Sequence, residues 1–118
     1  MEKNSLDEEL LLLHERFCPA LDHPLRMKML YLLKDQVMNV GELTQEMGIP
    51  QSSVSRHLRV LRERGLVRAE RQGTTIWYVL AEPELATVID ILRRILARQL
   101  ESHLDQAQTI LGLMSEEA

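Results

Sequence analysis

Apolar residues return at helical spacing in three stretches of this chain, and between the second and third the period changes to that of strands. Near the N-terminus Leu6, Leu10, Leu13 and Phe17 fall on one helical stripe. In the middle, Val54, Leu58 and Leu61 recur at i, i+4 and i+7, a stripe that has to be buried against other helices. Towards the C-terminus Leu85, Val88, Ile89, Leu92, Ile95, Leu96, Leu100 and Leu104 run through one long segment. From Leu66 to Arg71, by contrast, Val67 and Ala69 alternate with Arg68 and Glu70, and Thr75 to Leu80 (Thr-Ile-Trp-Tyr-Val-Leu) is dense in β-branched and aromatic residues. With Gln72-Gly73-Thr74 as the turn, these two runs predict a β-hairpin.

The punctuation ahead of the hairpin predicts a helix-turn-helix. Asn39 can cap a helix, with Glu42 three residues on reaching back to complete a capping box. Gly48-Ile49-Pro50 ends that helix, because glycine tolerates positive φ at a C-cap and proline has no N–H to continue the ladder. A second helix starts near Gln51 and closes at Gly65. Opposite its apolar stripe it carries Gln51, Ser52, Ser55, Arg56 and Arg59, short hydroxyls and long donors of the kind a recognition helix presents to base edges. A polar face of this sort also occurs as a merely solvated surface. The hairpin that follows favours DNA, since helix-turn-helix plus hairpin is a winged helix.

Charge changes the picture only when resolved along the chain. The total is −4 over 118 residues, which by itself argues against a polyanionic partner. Yet residues 56–71 hold six arginines (Arg56, Arg59, Arg62, Arg64, Arg68, Arg71) against Glu63 and Glu70, a local balance of +4, while residues 1–55 and 72–118 each come to −4. The basic block coincides with the recognition helix and wing, where arginine can pair with phosphates and release counterions.

In several places at once, over roughly residues 17–96, the sequence resembles the ArsR/SmtB family of small bacterial winged-helix repressors. Ala20-Leu21-Asp22-His23-Pro24-Leu25-Arg26, followed by Met29-Leu30-Tyr31-Leu32-Leu33, is similar to the opening of the family's second helix. Glu42-Leu43, Met47-Gly48-Ile49, Gln51-Ser52-Ser53-Val54-Ser55-Arg56-His57-Leu58 and Leu61-Arg62-Glu63-Arg64-Gly65-Leu66-Val67 resemble its helix-turn-helix, and Arg71-x-Gly73 with Trp77-Tyr78 resembles the wing, Thr74 standing where the family often has a basic residue. The resemblance implies a mainly α fold with a small β-hairpin, in the order α-α-α-α-β-β-α, homodimeric through its terminal helices. On that reading residues 1–118 are one domain: an N-terminal dimerisation helix (1–18), a DNA-binding core (23–80) and a C-terminal dimerisation helix (83–114). The terminal apolar stripes fit this, because one small monomer has little surface to hide both. Two recognition helices about a two-fold axis would read an inverted repeat in double-stranded DNA. Repression rather than activation is implied by the resemblance alone.

The candidate DNA contacts are Gln51, Ser52, Ser53, Ser55, Arg56, His57, Arg59 and Arg62 on the helix, and Arg71, Gly73 and Thr74 on the wing. Gln51, Ser53 and Ser55 are assigned to base edges or adjacent phosphates, Arg56 and Arg59 chiefly to phosphates, and His57 either to DNA or to packing against a neighbouring helix.

An effector is harder to place. The family's thiolate metal site uses a Cys-x-Cys phrase in the first helix of the helix-turn-helix, but Val40-Gly41-Glu42-Leu43-Thr44 holds no sulfur ligand. Its other common site uses carboxylates and imidazoles on the last helix. Asp90 and His103 keep a plausible spacing for it, with Leu92 and Gln106 where further ligands would be wanted; a solvated helix face explains the pair equally. His14 and Cys18, i and i+4 apart, could pair on a metal with Asp22. Cys18, the single cysteine, is alternatively an inert structural residue or a redox- or persulfide-sensitive thiol. No cofactor is required; a metal ion or a thiol-reactive effector is a candidate signal, with an organic ligand, or control by the protein's own abundance, as the alternatives.

An enzyme is not expected: Ser52, Ser53 and Ser55 lack the strained Gly-x-Ser-x-Gly turn, there is no phosphate-binding glycine loop, and Cys18 with His14 lacks an orienting partner. A winged helix used only for protein contact would not require the arginine block. No apolar run approaches the ~20 residues of a membrane span, and the acidic N-terminus (Glu2, Asp7, Glu8, Glu9) has no basic region of a secretory signal. A single cysteine excludes an intrachain disulfide and suits a reducing compartment, so a cytoplasmic regulator is expected.

Overall fold

The computed structural model describes residues 2–117, and the side chains of residues 5–115. The chain divides into two compact units, Met1–Ala86 and Thr87–Ala118. The first contains α1 (Glu2–Leu21), α2 (Pro24–Leu32), β1 (Met38–Asn39), α3 (Val40–Met47), α4 (Gln51–Glu63), β2 (Val67–Gln72) and β3 (Thr75–Leu80). It also holds the start of α5 (Glu84–Glu117), the rest of which makes the second unit.

Local chemistry sets the boundaries of the helix-turn-helix. Asn39 Oδ1 accepts from the Glu42 amide (2.8 Å) while Glu42 Oε1 accepts from the Asn39 amide (3.2 Å), so the capping box closes at the start of α3. Gly48 ends α3 with φ 66°, its amide donating to the Thr44 carbonyl. At the end of α4 the Leu66 amide donates to Leu61 O (2.9 Å) and the Gly65 amide to Arg62 O (3.0 Å). With Gly65 at φ 77°, this is a Schellman closure, in which the left-handed residue turns two amides back on orphan carbonyls.

The sheet is antiparallel with order β1-β3-β2. β2 and β3 pair from Val67↔Leu80 out to Gln72↔Thr75, leaving a two-residue turn of Gly73 (φ 64°) and Thr74. Two features go beyond the sequence reading. β1 adds a third strand, pairing Met38↔Tyr78 and Asn39↔Trp77. The terminal helices are also longer than expected: α1 runs on past residue 18 to Leu21 with Pro19 inside it, and α5 extends to Glu117 rather than 114.

The core of the first unit is aliphatic. Met29, Leu30 and Leu33 from α2 and its end, Leu43 and Met47 from α3, Val54, Leu58 and Leu61 from α4, and Leu66 and Val67 at the hairpin are all buried. Each such side chain contributes about 1.5–3 kcal/mol through burial. On α1, by contrast, Leu6, Leu10 and Leu13 are about half exposed, and so are Leu92, Leu96, Leu100 and Leu104 on α5.

Asn39→Ala should lower stability by about 1 kcal/mol, through loss of the cap, and Asn39→Asp should retain most of it. Urea unfolding of the two variants checks this; equal midpoints in Asn39→Ala and wild type would mean that the box adds nothing.

Candidate nucleic-acid interface

α4 is amphipathic in a way that separates structure from function. Val54, Leu58 and Leu61 face the core, whereas Gln51, Ser52, Ser55, Arg56, Arg59 and Arg62 are exposed. Gln51, Ser55 and Arg59 follow one another at i, i+4 and i+8, so they form a row along the solvent side. Ser53 is half-buried, and its Oγ accepts from Arg56 Nη2 at 3.5 Å. The helix begins after Pro50, which offers no side-chain cap. Its first amides therefore remain as donors at the positive end of the helix dipole, beside the exposed Gln51 and Ser52.

The hairpin places Arg71 near its tip, with Gly73 and Thr74 forming the exposed turn. Between α4 and the sheet, Ser55, Leu58, Arg59, Arg62 and Tyr78 line a cleft of about 220 Å³. Tyr78, named in the sequence as part of the wing but not among the candidate contacts, lines this cleft from β3. That its ring turns from the wing towards α4 was not readable from pattern alone.

The six arginines of the basic block have different fates. Arg56, Arg59, Arg62 and Arg71 stay exposed, with no ion pair to any described residue. Arg68 lies 3.7 Å from Glu70 and donates to the Ala81 carbonyl, and Arg64 donates to the Glu15 carbonyl of α1 (3.2 Å). The positive strip available to a polyanion is thus narrower than the sequence count.

His57 is the one polar residue of α4 turned inwards, 7% exposed. Its ring centroid lies 4.5 Å from that of His23, and its Nδ1 is 3.4 Å from Arg26 Nη1. A guanidinium only donates, so Nδ1 accepts and the ring proton resides on Nε2. Of its two sequence-based readings, packing is the one the geometry adopts. Burial lowers its pKa from the ordinary 6.5, and the neighbouring His23, Arg26 and Arg56 lower it further.

The effector candidates lie apart from this face. His14, Cys18, Pro19, Leu21 and Asp22 line a shallow surface cavity of about 490 Å³, with Cys18 a free, half-buried thiol. Asp90 is held by Arg93 at 3.3 Å and His103 is exposed on α5. Among the described residues of one protomer no three His, Cys, Asp or Glu side chains converge. No described helix is long and apolar enough to cross a membrane.

A buried-faced helix offering a row of donors, flanked by a basic hairpin, defines a winged helix-turn-helix built to read DNA. Residues 23–69 match the family described as bacterial regulatory protein, arsR family. The HTH-type transcriptional regulator Rv0081 of Mycobacterium tuberculosis is 38% identical over 94 residues, covering 79% of this chain and 82% of that protein. Its crystal structure superposes with a TM-score of 0.72 at 36% identity, over 80% of this chain and 96% of the other. The biofilm growth-associated repressor of Xylella fastidiosa is 38% identical over 80 residues, 68% of this chain and 70% of its own. The solution structure of a homodimeric winged helix-turn-helix DNA-binding domain, Mb0332 from Mycobacterium bovis, matches with a TM-score of 0.72 at 28% identity, over 82% of this chain and 90% of that one. The protein belongs to the arsR family of bacterial transcriptional regulators.

Because folded His57 resists protonation, stability should depend on pH in a defined sense. Above 6.5 the ring is neutral in both states and contributes no pH dependence; as pH falls below 6.5 the unfolded chain takes the proton first, and stability is lost until the folded ring also protonates. Urea midpoints should therefore fall between about pH 7 and 5.5, and fall less in His57→Asn. An equal fall in both proteins would remove His57 as the source.

Proposed function

We propose that the protein is a repressor that binds a pseudo-palindromic operator as a homodimer and leaves it when an effector binds. The observation that carries this is the exposed donor row of α4 set in the six-arginine block of an acidic chain. Gln51 and Ser55 sit where base edges would be read, with Ser52, Ser53 and the first amides of α4 beside a phosphate. Arg56, Arg59 and Arg62 serve phosphates, the cleft by Tyr78 accommodating one of them. Arg71, Gly73 and Thr74 bring the wing to the backbone. The half-exposed leucines of α1 and α5 would be covered by a second copy, in keeping with the homodimeric Mb0332 domain. Repression follows the sense of the Xylella relative. The acidic remainder of the chain would oppose indiscriminate DNA binding in the cytoplasm.

Fluorescence anisotropy on the DNA upstream of its own reading frame, against a scrambled duplex, tests the core of this. Firm binding to the first and weak binding to the second is expected; equal binding to both would overturn it. Adding zinc, arsenite, persulfide and peroxide in turn, to wild type and Cys18→Ser, identifies the effector class. Release that disappears in the variant assigns the signal to Cys18, and binding that none of them disturbs makes the thiol structural.

Arg56→Ala should weaken binding to both duplexes alike and reduce the slope of log affinity against log salt by about 1. Gln51→Ala should instead narrow the gap between specific and scrambled DNA, by about 1–3 kcal/mol. An unchanged salt slope in Arg56→Ala would exclude its phosphate role.

A further inference from the structure

Pro19 lies inside α1 and cannot donate the amide that would otherwise bond the Glu15 carbonyl. That carbonyl instead accepts from Arg64, at the C-terminal end of α4. Cys18 O accepts from the Asp22 amide (2.8 Å), and a second arginine takes the two carbonyls that follow: Arg26 donates from Nε to Ala20 O (2.6 Å) and from Nη2 to Pro19 O (2.9 Å). Its remaining terminal nitrogen, Nη1, faces Nδ1 of His57 in the middle of α4. One planar guanidinium thus joins the carbonyl end of α1 to the buried side of the recognition helix, and Arg64 makes a second tie at that helix's end. A planar fork with fixed donor directions is suited to three acceptors at once, whereas a lysine ammonium on the same stem is a point charge.

We propose that Arg26 is a positioning residue for DNA reading: it touches no DNA, but holds α4 in register on α1 through His57, so that the end of α1 and the reading face move together. This rests on the DNA-binding function proposed above and adds to it the route by which a displacement of α1 would reach the operator. Three groups bear on His57 electrostatically: His23 from the turn before α2, Arg26 from α2 and Arg56 from α4 itself. Arg26 and Arg56 are cationic, so a proton on His57 would meet the Arg26 guanidinium head-on and undo the tie.

The test compares wild type, Arg26→Met, Arg26→Lys and His57→Asn by anisotropy on the upstream and scrambled duplexes across a salt series, with a urea midpoint for each protein. In Arg26→Met the ratio of specific to scrambled affinity should fall about tenfold, with the salt slope unchanged. Arg26→Lys keeps the charge and meets fewer of the acceptors, so it should recover part of that ratio. The double variant Arg26→Met/His57→Asn should lose no more than Arg26→Met alone, since the two residues act through one contact. Imidazole NMR should show the His57 titration midpoint rising in Arg26→Met, as a neighbouring cation is removed; an unmoved midpoint would mean that Arg26 does not face His57, and would overturn the proposal. An unchanged affinity ratio in a folded Arg26→Lys together with additive effects of Arg26 and His57, or a salt slope reduced by about 1 with both duplexes weakened alike, would overturn the proposal. If wild type itself does not distinguish the two duplexes, it is the regulator reading that fails.

Discussion

The structure depends on α4 keeping one side dry. Val54, Leu58 and Leu61 are almost wholly buried against residues from α2, α3 and the hairpin, and truncating any one would leave a cavity worth about 2–5 kcal/mol for a leucine. That burial fixes the rotation of the helix about its axis. Once rotation is fixed, Gln51, Ser55 and Arg59 have only one direction to face. The reading surface is therefore largely a by-product of packing on the far side of the helix.

Much of this was legible in the sequence, because the responsible interactions are local. Asn39 with Glu42, Gly48 before Pro50, and Gly65 after the last turn are caps whose chemistry is complete within a few residues, so the boundaries of α3 and α4 could be read directly. β1 could not, because two residues carry no period and Met38 and Asn39 become a strand only by pairing with Tyr78 and Trp77. The end of α1 at Leu21 was hidden behind Pro19, a residue that ordinarily stops a helix. Here the one carbonyl it frees, that of Glu15, is taken by Arg64 from the far end of α4, a tertiary rescue with no local trace.

The candidate site shows the same division. Helical arithmetic does place His57 beside the buried stripe, three residues after Val54 and four before Leu61, but a histidine among serines and arginines reads equally as a contact. Its inward orientation follows from the partners waiting there, His23 and Arg26, which are more than 30 residues away in sequence. The same holds for Arg64: a count of charges treats six arginines alike, and only the fold shows that this one serves α1. Electrostatic potential at the reading face is thus set by how many cations the packing leaves over.

The glycines with left-handed backbone, Gly48, Gly65 and Gly73, bear on how such a chain can change over time. They stand at the end of α3, the end of α4 and the tip of the wing, dividing the reading head into segments of fixed length. A residue inserted within α4 would rotate everything beyond it by about 100° and advance it by about 1.5 Å, carrying the wing away from the exposed face of the helix. Substitutions can retune Gln51 or Ser55 freely, since those exposed side chains take no part in the core. Insertions cannot be absorbed there, so length variation among descendants of this sequence should gather outside the span from Asn39 to Leu80, while its letters remain open to change.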